Sequence, residues 1–90
     1  MRKIKEIKVL EDHQLFVRFE NGEEKIFNIK PFLNFPVFKI LSEKSEFNKV
    51  VNRKSFIEWP EFEIDLSADT LWHEGKTNML SDPSRSTIIL

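Results

Sequence analysis

The sequence predicts a single α+β domain built on a small, mostly antiparallel sheet with short helices. Two observations lead to this fold class. Apolar residues recur at every second position in several short segments, and the stretches between these segments are too short or too rich in proline for long helices. The chain has 90 residues, of which 40% are hydrophobic, which is enough for one core. We assign residues 1–75 to the domain and 76–90 to a C-terminal tail.

A three-stranded meander is predicted at the N-terminus. Residues 4–10 are apolar with interleaved charges. In the second strand, Leu15, Val17 and Phe19 alternate with Phe16, Arg18 and Glu20, a period of two that indicates a half-buried strand. Lys25, Phe27 and Ile29 occupy every second position of the next segment, which predicts a third strand. The pair Asn21-Gly22 is the strongest turn signal of the chain, because both residue types tolerate positive φ.

The register of the hairpin has two alternatives. A two-residue loop would place the odd-numbered residues of 15–19 on one face with the even-numbered residues of 24–28. A three-residue loop, Glu20-Asn21-Gly22 with Gly22 in a bulge, places them with the odd-numbered residues of 25–29 instead. We favour the three-residue loop, because it gathers more large apolar side chains on one face.

Short elements are predicted for the second half of the chain. Pro31 and Pro36 exclude a long helix, and Pro36 opens a short one that ends at Leu41. Phe47 anchors a single helical turn, and short strands follow at 50–51, 56–59 and 62–66. Ser67 is the predicted N-cap of a helix of one to two turns, with a stop at Gly75.

Composition narrows the function classes. The chain contains no cysteine, which excludes disulfides, Cys-ligated zinc and thiol nucleophiles. The N-terminus lacks a signal peptide, and no segment is apolar enough to span a bilayer, so we expect a cytoplasmic protein without a membrane anchor. Two glycines are too few for a mononucleotide-binding loop, and we expect no cofactor.

Charge argues against a dedicated nucleic-acid-binding protein, because the formal net charge is −1 and such proteins carry a basic excess. The local exception is the basic stretch Arg2, Lys3, Lys5 and Lys8. On a strand these lysines suit a solvated face or a guarded sheet edge. The alternative function, a nucleic-acid-binding regulator, depends on this stretch.

The order of the motifs is itself informative. The run LFVRFENGEEKIFNIKPFL (residues 15–33) is followed by IEWPEFEIDLSADTLW (residues 57–72). This combination resembles the small bacterial domain-of-unknown-function family twenty-four forty-two. The residues that carry the resemblance are Asn21, Gly22, Pro31, Trp59, Pro60, Asp65, Leu66, Asp69, Leu71 and Trp72.

The resemblance implies a compact α+β fold with a small antiparallel sheet and no established enzymatic activity. Some family members are fused to helix-turn-helix domains, and others lie beside a second small gene in pairs that look like toxin–antitoxin modules. The resemblance therefore implies a protein partner, with this chain in an antitoxin-like or regulatory role.

No catalytic or metal site is predicted. Glu58, Asp65 and Asp69 are the only plausible acid–base set, but Asp65 and Asp69 are better explained as charges that cap the last helix. His13 and His73 each lack a second histidine at ligand spacing. Trp59 and Trp72 are interpreted as core packing.

An exposed aromatic patch is the remaining candidate. Phe32, Phe35 and Phe38 flank Pro36, and two interpretations stay open for them. They pack into the core beneath the proline-bounded loop, or, because a small sheet does not obviously cover all three, they form an exposed partner surface. The preferred function is a non-enzymatic protein-interaction domain. Self-association also stays open. The sheet has edges, and the tail residues Thr87–Leu90 could pair with an edge of their own chain or with an edge of a neighbouring copy.

Overall fold

The computed structural model describes residues 2–77. They form a four-stranded sheet of order β1-β2-β3-β7 and a three-stranded sheet of order β4-β5-β6, and every strand pair is antiparallel. This confirms the predicted α+β class. The strands are β1 Ile4–Leu10, β2 Gln14–Phe19, β3 Glu24–Asn28, β4 Val51–Asn52, β5 Phe56–Trp59, β6 Ile64–Ser67 and β7 Lys76–Thr77. The helices are α1 Lys44–Phe47, α2 Ala68–Glu74 and the 3-10 helices Lys30–Asn34, Pro36–Ser42 and Pro60–Phe62.

The β2–β3 hairpin has the predicted three-residue loop. Leu15 pairs with Phe27, and the Phe19 amide donates to the Glu23 carbonyl at 2.9 Å. Gly22 occupies the bulge at φ 93°, where a side chain would be strained. Its amide donates back to the Phe19 carbonyl at 2.9 Å, so the register that buries the apolar face is confirmed.

Several predicted strand bounds are wrong by one or two residues. The strand predicted at 50–51 is β4 Val51–Asn52, and proline-containing helices shift the end of the third strand and the start of β6. The third strand ends at Asn28, because Ile29 turns into the proline-containing 3-10 helix and accepts the Phe32 amide at 2.8 Å. Phe62 belongs to the 3-10 helix that starts at Pro60, and Glu63 at φ 55° reverses the chain before β6 begins. Proline geometry overrides the alternating pattern at both places.

Helix α2 begins and ends where the sequence predicts. The Ser67 hydroxyl accepts the Thr70 amide at 3.1 Å, and the Gly75 amide donates to the Leu71 carbonyl at 2.9 Å. Gly75 has an ordinary φ of −74°, but a Cβ there would lie 2.5 Å from the Leu71 oxygen. Glycine is therefore required at position 75 because the backbone lies too close to the Leu71 carbonyl to leave room for a side chain.

The structure extends the large sheet beyond Gly75. Lys76 pairs with Ile26 and Thr77 pairs with Lys25, so the first two residues of the predicted tail form strand β7 at the edge of the sheet. Thr87–Leu90, for which edge pairing was predicted, lie outside the described residues.

The core joins the two sheets through aromatic side chains. Trp59 is 1% exposed, and its ring stacks on Phe47 with centroids 6.0 Å apart. The Trp59 Nε1 proton is donated to the Phe47 carbonyl at 2.9 Å, so the one polar atom of the buried indole is satisfied. The pair belongs to one buried cluster that also contains Leu15 and Phe27 of the large sheet, Ile57 and Leu66 of the small sheet, and Leu41 and Leu71 of the helices.

We predict that Trp59→Phe lowers the free energy of unfolding by about 1–3 kcal/mol, because the Phe47 carbonyl then loses its buried donor. Urea denaturation measures this. The matched control is Trp72→Phe, since the ring nitrogen of half-buried Trp72 makes no hydrogen bond within residues 2–77. Equal losses in the two variants would contradict the role assigned to the hydrogen bond.

Candidate interaction surface

The segment between β3 and α1 carries the most exposed large apolar side chains of the described domain. It consists of the two 3-10 helices Lys30–Asn34 and Pro36–Ser42, with Phe35 in extended conformation between them. A 3-10 helix has three residues per turn, so side chains three positions apart share a face. Phe38 and Leu41 therefore point together into the core, while Val37 and Ile40 point together into solvent.

We define the apolar strip as Phe35, Val37 and Ile40. Their exposed fractions are 56%, 61% and 39%, which is unusual for three large apolar residues within a span of six. Leu41 behind them is fully buried, so the strip stands on the core.

The predicted aromatic patch is divided by the fold. Phe35 is exposed, whereas Phe32 and Phe38 are partly buried against the core. The Phe32 ring lies 5.4 Å from the Phe27 ring and 5.6 Å from the Phe38 ring. Phe32 and Phe38 thus support the surface from beneath. Val37 and Ile40 were missed by sequence reasoning, although the three-residue period after Pro36 was the signal that identifies them.

The turn between β1 and β2 holds both ends of this segment. The Asp12 carboxylate pairs with the Lys30 ammonium group at the start of the first 3-10 helix. His13 Nε2 lies 2.9 Å from the carbonyl of Ser42 at the end of the second. Because a carbonyl can only accept, Nε2 carries the proton. The His13 ring also lies 5.3 Å from Phe47, so we call Asp12 and His13 the clamp.

Trp72 and Asp69 form a second surface feature, an open groove of about 480 Å³ beside the β2–β3 loop. The Arg2 guanidinium lies 4.4 Å from the Trp72 ring centroid and donates to Asp69 Oδ1 at 2.8 Å. Phe19 meets the Trp72 ring edge-on at 5.0 Å. Asn21 lines the groove, but its side-chain oxygen accepts the Glu23 amide at 2.9 Å, which stabilises the turn.

The remaining signature residues are placed by the fold. Leu66 and Leu71 are buried in the core, and Pro31 and Pro60 each lie in the first turn of a 3-10 helix. Asp65 does not cap α2, contrary to the sequence interpretation. It lies on β6 opposite Glu58, because Ser67 alone occupies the N-cap position.

The carboxylates and histidines do not converge on one site. Glu58 accepts from Arg53 Nε at 2.9 Å, while Asp69 accepts from Arg2 and Asp65 is exposed. Among the described residues, no group of three His, Asp or Glu side chains is arranged to hold a metal ion. No helix in the 2–77 region is long and apolar enough to cross a membrane.

The basic N-terminal stretch is engaged within the domain. Lys8 Nζ lies 3.6 Å from Glu6 Oε2, and Lys3 Nζ donates to the Ser55 hydroxyl at 3.2 Å. Together with the Arg2–Asp69 pair, three of the four cations contact polar or acidic side chains. Lys5 lies at an irregularity in the β1–β2 register between Ile4 and Glu6.

We predict that His13→Asn speeds amide exchange in Pro36–Ser42 and at Glu43, and lowers the free energy of unfolding by about 1 kcal/mol. Asparagine tolerates the positive φ of residue 13, which is 57°, but is too short to reach Ser42. Hydrogen-exchange mass spectrometry and urea denaturation measure the two effects. His73→Asn is the matched control at an exposed histidine; unchanged exchange in the clamp variant would contradict the role of His13.

The clamp also has a predicted pH signature. The hydrogen bond from Lys30, and then its positive charge, lower the pKa of Asp12. A lowered native pKa means that the ionised pair stabilises the fold above the unfolded-state pKa and loses this contribution as pH falls through the native one. NMR titration of the Asp12 carboxyl should show a rise of its pKa in Lys30→Gln. A pKa that stays the same would contradict the pairing.

No curated protein and no solved structure matches the chain. The model of the family described as "Protein of unknown function (DUF2442)" matches residues 4–77. This range spans both sheets, the apolar strip and the part of the Trp72 groove that does not include Arg2 and Lys3. The chain therefore belongs to the DUF2442 family.

Proposed function

We propose that the chain is a non-enzymatic protein-interaction domain that binds its partner through the apolar strip. The observation that carries this proposal is the exposure of Phe35, Val37 and Ile40 on one short segment of a domain whose other large apolar side chains are mostly buried. A cluster of exposed apolar side chains is unfavourable in water and is typical of surfaces that bind a partner.

The support beneath the strip favours binding. Phe38 and Leu41 anchor the second 3-10 helix from the inside. The clamp contacts Lys30 at the start of the whole segment and Ser42 at its end. A surface that is ordered before binding loses less conformational entropy when a partner docks. The strip therefore suits recognition by a preformed surface rather than by folding on contact.

The contacts of the carboxylates support a non-enzymatic role. Acid–base catalysis needs a carboxyl group held in a cleft with a raised pKa. Glu58 and Asp69 are each neutralised by an arginine, and Asp65 faces solvent. These three side chains serve the surface charge pattern of the domain.

The partner we propose is the small protein encoded by a neighbouring gene, in the cytoplasm. This follows from the family resemblance, in which such pairs look like toxin–antitoxin modules, and gives the chain an antitoxin-like or regulatory role. A small partner with a complementary apolar patch would bury the strip and leave the charged faces in solvent.

Nucleic-acid binding through the basic N-terminal stretch is the alternative. The engagement of Arg2 with Asp69 and of Lys8 with Glu6 weakens it, because cations that are already paired release fewer phosphate counterions. The alternative predicts a salt-dependent complex that the triple replacement of Lys3, Lys5 and Lys8 abolishes. Our proposal predicts no retardation of DNA or RNA at low salt.

We predict that Val37→Asp weakens association with the neighbouring gene product by about ten-fold or more, since it places a charge in the apolar contact. Co-expression with pull-down, followed by calorimetry, measures this. Val37 is 61% exposed, so the free energy of unfolding should change by less than about 0.5 kcal/mol.

The matched control is Leu10→Asp, the same kind of change at a large apolar residue that is 36% exposed on β1. It should leave association unchanged. Equal binding by the wild type and Val37→Asp, or loss of binding in Leu10→Asp alone, would contradict the assignment of the strip. Failure of the wild type to associate would contradict the choice of partner.

A further inference from the structure

Among the described residues, strand β1 pairs with another strand along only one of its two edges. It pairs with β2, and within residues 2–77 no strand pairs with its other edge. The start of that edge is covered, since the Ile4 amide donates to the Lys54 carbonyl at 2.7 Å and Asn52 Nδ2 donates to the Ile4 carbonyl at 3.0 Å. At the other end, Lys44 and Asn48 line a shallow pocket beside Val9 and Leu10. Within residues 2–77, the backbone from Lys5 to Leu10 makes no hydrogen bond on that side.

The direction of the backbone groups on this edge follows from the hairpin. Phe19 exchanges hydrogen bonds with the β3 side of the sheet, so in the alternating antiparallel pattern Arg18 and Phe16 bond towards β1. Their partners on β1 are Glu6 and Lys8. The amide and carbonyl groups of Ile7 and Val9 consequently point away from β2 towards the free edge.

A second copy of the chain can pair with this edge in few registers. Two antiparallel copies of β1 can form backbone hydrogen bonds only when residues whose amide and carbonyl groups point outward lie opposite each other. This condition allows a twofold axis at Ile7, at Lys8 or at Val9. An axis at Lys8 would bring two identical ammonium groups face to face at the close, non-hydrogen-bonded positions, about 4.5 Å between Cα atoms. An axis at Val9 lies close to the end of the strand at Leu10, so fewer residues of each copy can pair.

The axis at Ile7 is complementary in charge. It pairs Ile7 with Ile7 of the second copy through two backbone hydrogen bonds. It also sets Glu6, which contacts Lys8 and Arg18 within its own chain, opposite Lys8 of the second copy on both sides of the axis. Each end of the pairing then joins Lys5 to Val9, a side chain that is 37% exposed in the single chain. Opposite charges directly across a strand pair stabilise it, and this register is the one that uses both charged residues.

We propose that two copies of this chain form a homodimer through the β1 edge, antiparallel and centred on Ile7. The contact is isologous, so it closes both β1 edges and leaves neither free to recruit a third chain. Asn52 and Lys54 at one end, with the register irregularity beside Lys5, confine the pairing to Lys5–Val9. It uses different residues from the apolar strip, so it does not depend on the proposed function.

Sedimentation equilibrium of the full chain, carried up to millimolar concentration, tests the dimer. We expect a monomer–dimer equilibrium that weakens in high salt, because the two Glu6–Lys8 contacts are exposed and screened. Glu6→Lys and Lys8→Glu each create two like-charge contacts across the axis. Each variant alone should dimerise at least about ten-fold more weakly than the wild type.

Mixing the two variants is the decisive step. One variant carries lysine at both positions and the other glutamate at both, so the mixed pair has opposite charges at each contact and should regain association. Recovery by mixing also shows that each variant is folded, although Glu6→Lys removes a 2.8 Å contact to Arg18. Glu74→Lys and Lys39→Glu are the matched controls away from β1, and should dimerise like the wild type.

Three results would overturn the proposal. They are a wild-type chain that stays monomeric at millimolar concentration, single variants that dimerise as well as the wild type, and a mixture that associates no better than its components. A dimer that resists both charge reversals would locate the contact at another edge or at another surface.

Discussion

The β1–β2 turn fixes the part of the molecule to which we assign function. Asp12 and His13 lie at positive φ, 61° and 57°, a conformation that costs non-glycine residues free energy unless tertiary contacts stabilise it. Here the contacts are long-range: the His13 carbonyl accepts the Ile29 amide at 3.2 Å, and the two side chains bind Lys30 and Ser42. One strained turn therefore contacts the 3-10 segment at both its start and its end.

The second constraint is the buried junction between the two sheets. Neither sheet buries enough apolar surface by itself to be stable in a domain of this size. Trp59 from the small sheet meets Phe47 from α1, and α1 follows directly on the segment that the clamp holds. The aromatic junction and the clamp meet at Phe47, whose ring contacts both Trp59 and His13. Together they hold the stretch of chain in which Leu41 is buried and Val37 is exposed.

Features set by local chemistry could be predicted from the sequence. The Asn21-Gly22 turn, its register and the Ser67 cap depend on residues close together in the chain, and each was confirmed. Features that depend on distant partners could not be predicted. His13 was considered only as a metal ligand, because nothing in the sequence brings it near Ser42. Asp65 was misassigned because its strand and the helix it precedes are adjacent in sequence. The aromatic patch was located on the correct segment, but its exposed members follow from the 3-10 period that Pro36 imposes.

The two proposed interaction surfaces lie on different parts of the domain. The strip lies on the connection between β3 and α1, and the β1 edge carries the charged pattern Lys5, Glu6 and Lys8. A dimer through β1 would present two strips to partners, which raises the apparent affinity for any partner that is itself paired. The Trp72 groove, with Arg2 held by Asp69, then serves to tie the N-terminus of β1 to α2.

The most direct test of the central claim is an NMR titration of the isotope-labelled full chain with the purified product of the neighbouring gene. Our account predicts that the largest chemical-shift changes and line broadening fall on Phe35, Val37 and Ile40, with smaller changes at the supporting Phe38. Shifts concentrated on Arg2, Lys3 and Trp72, with the amides of the 3-10 segment unchanged, would contradict it.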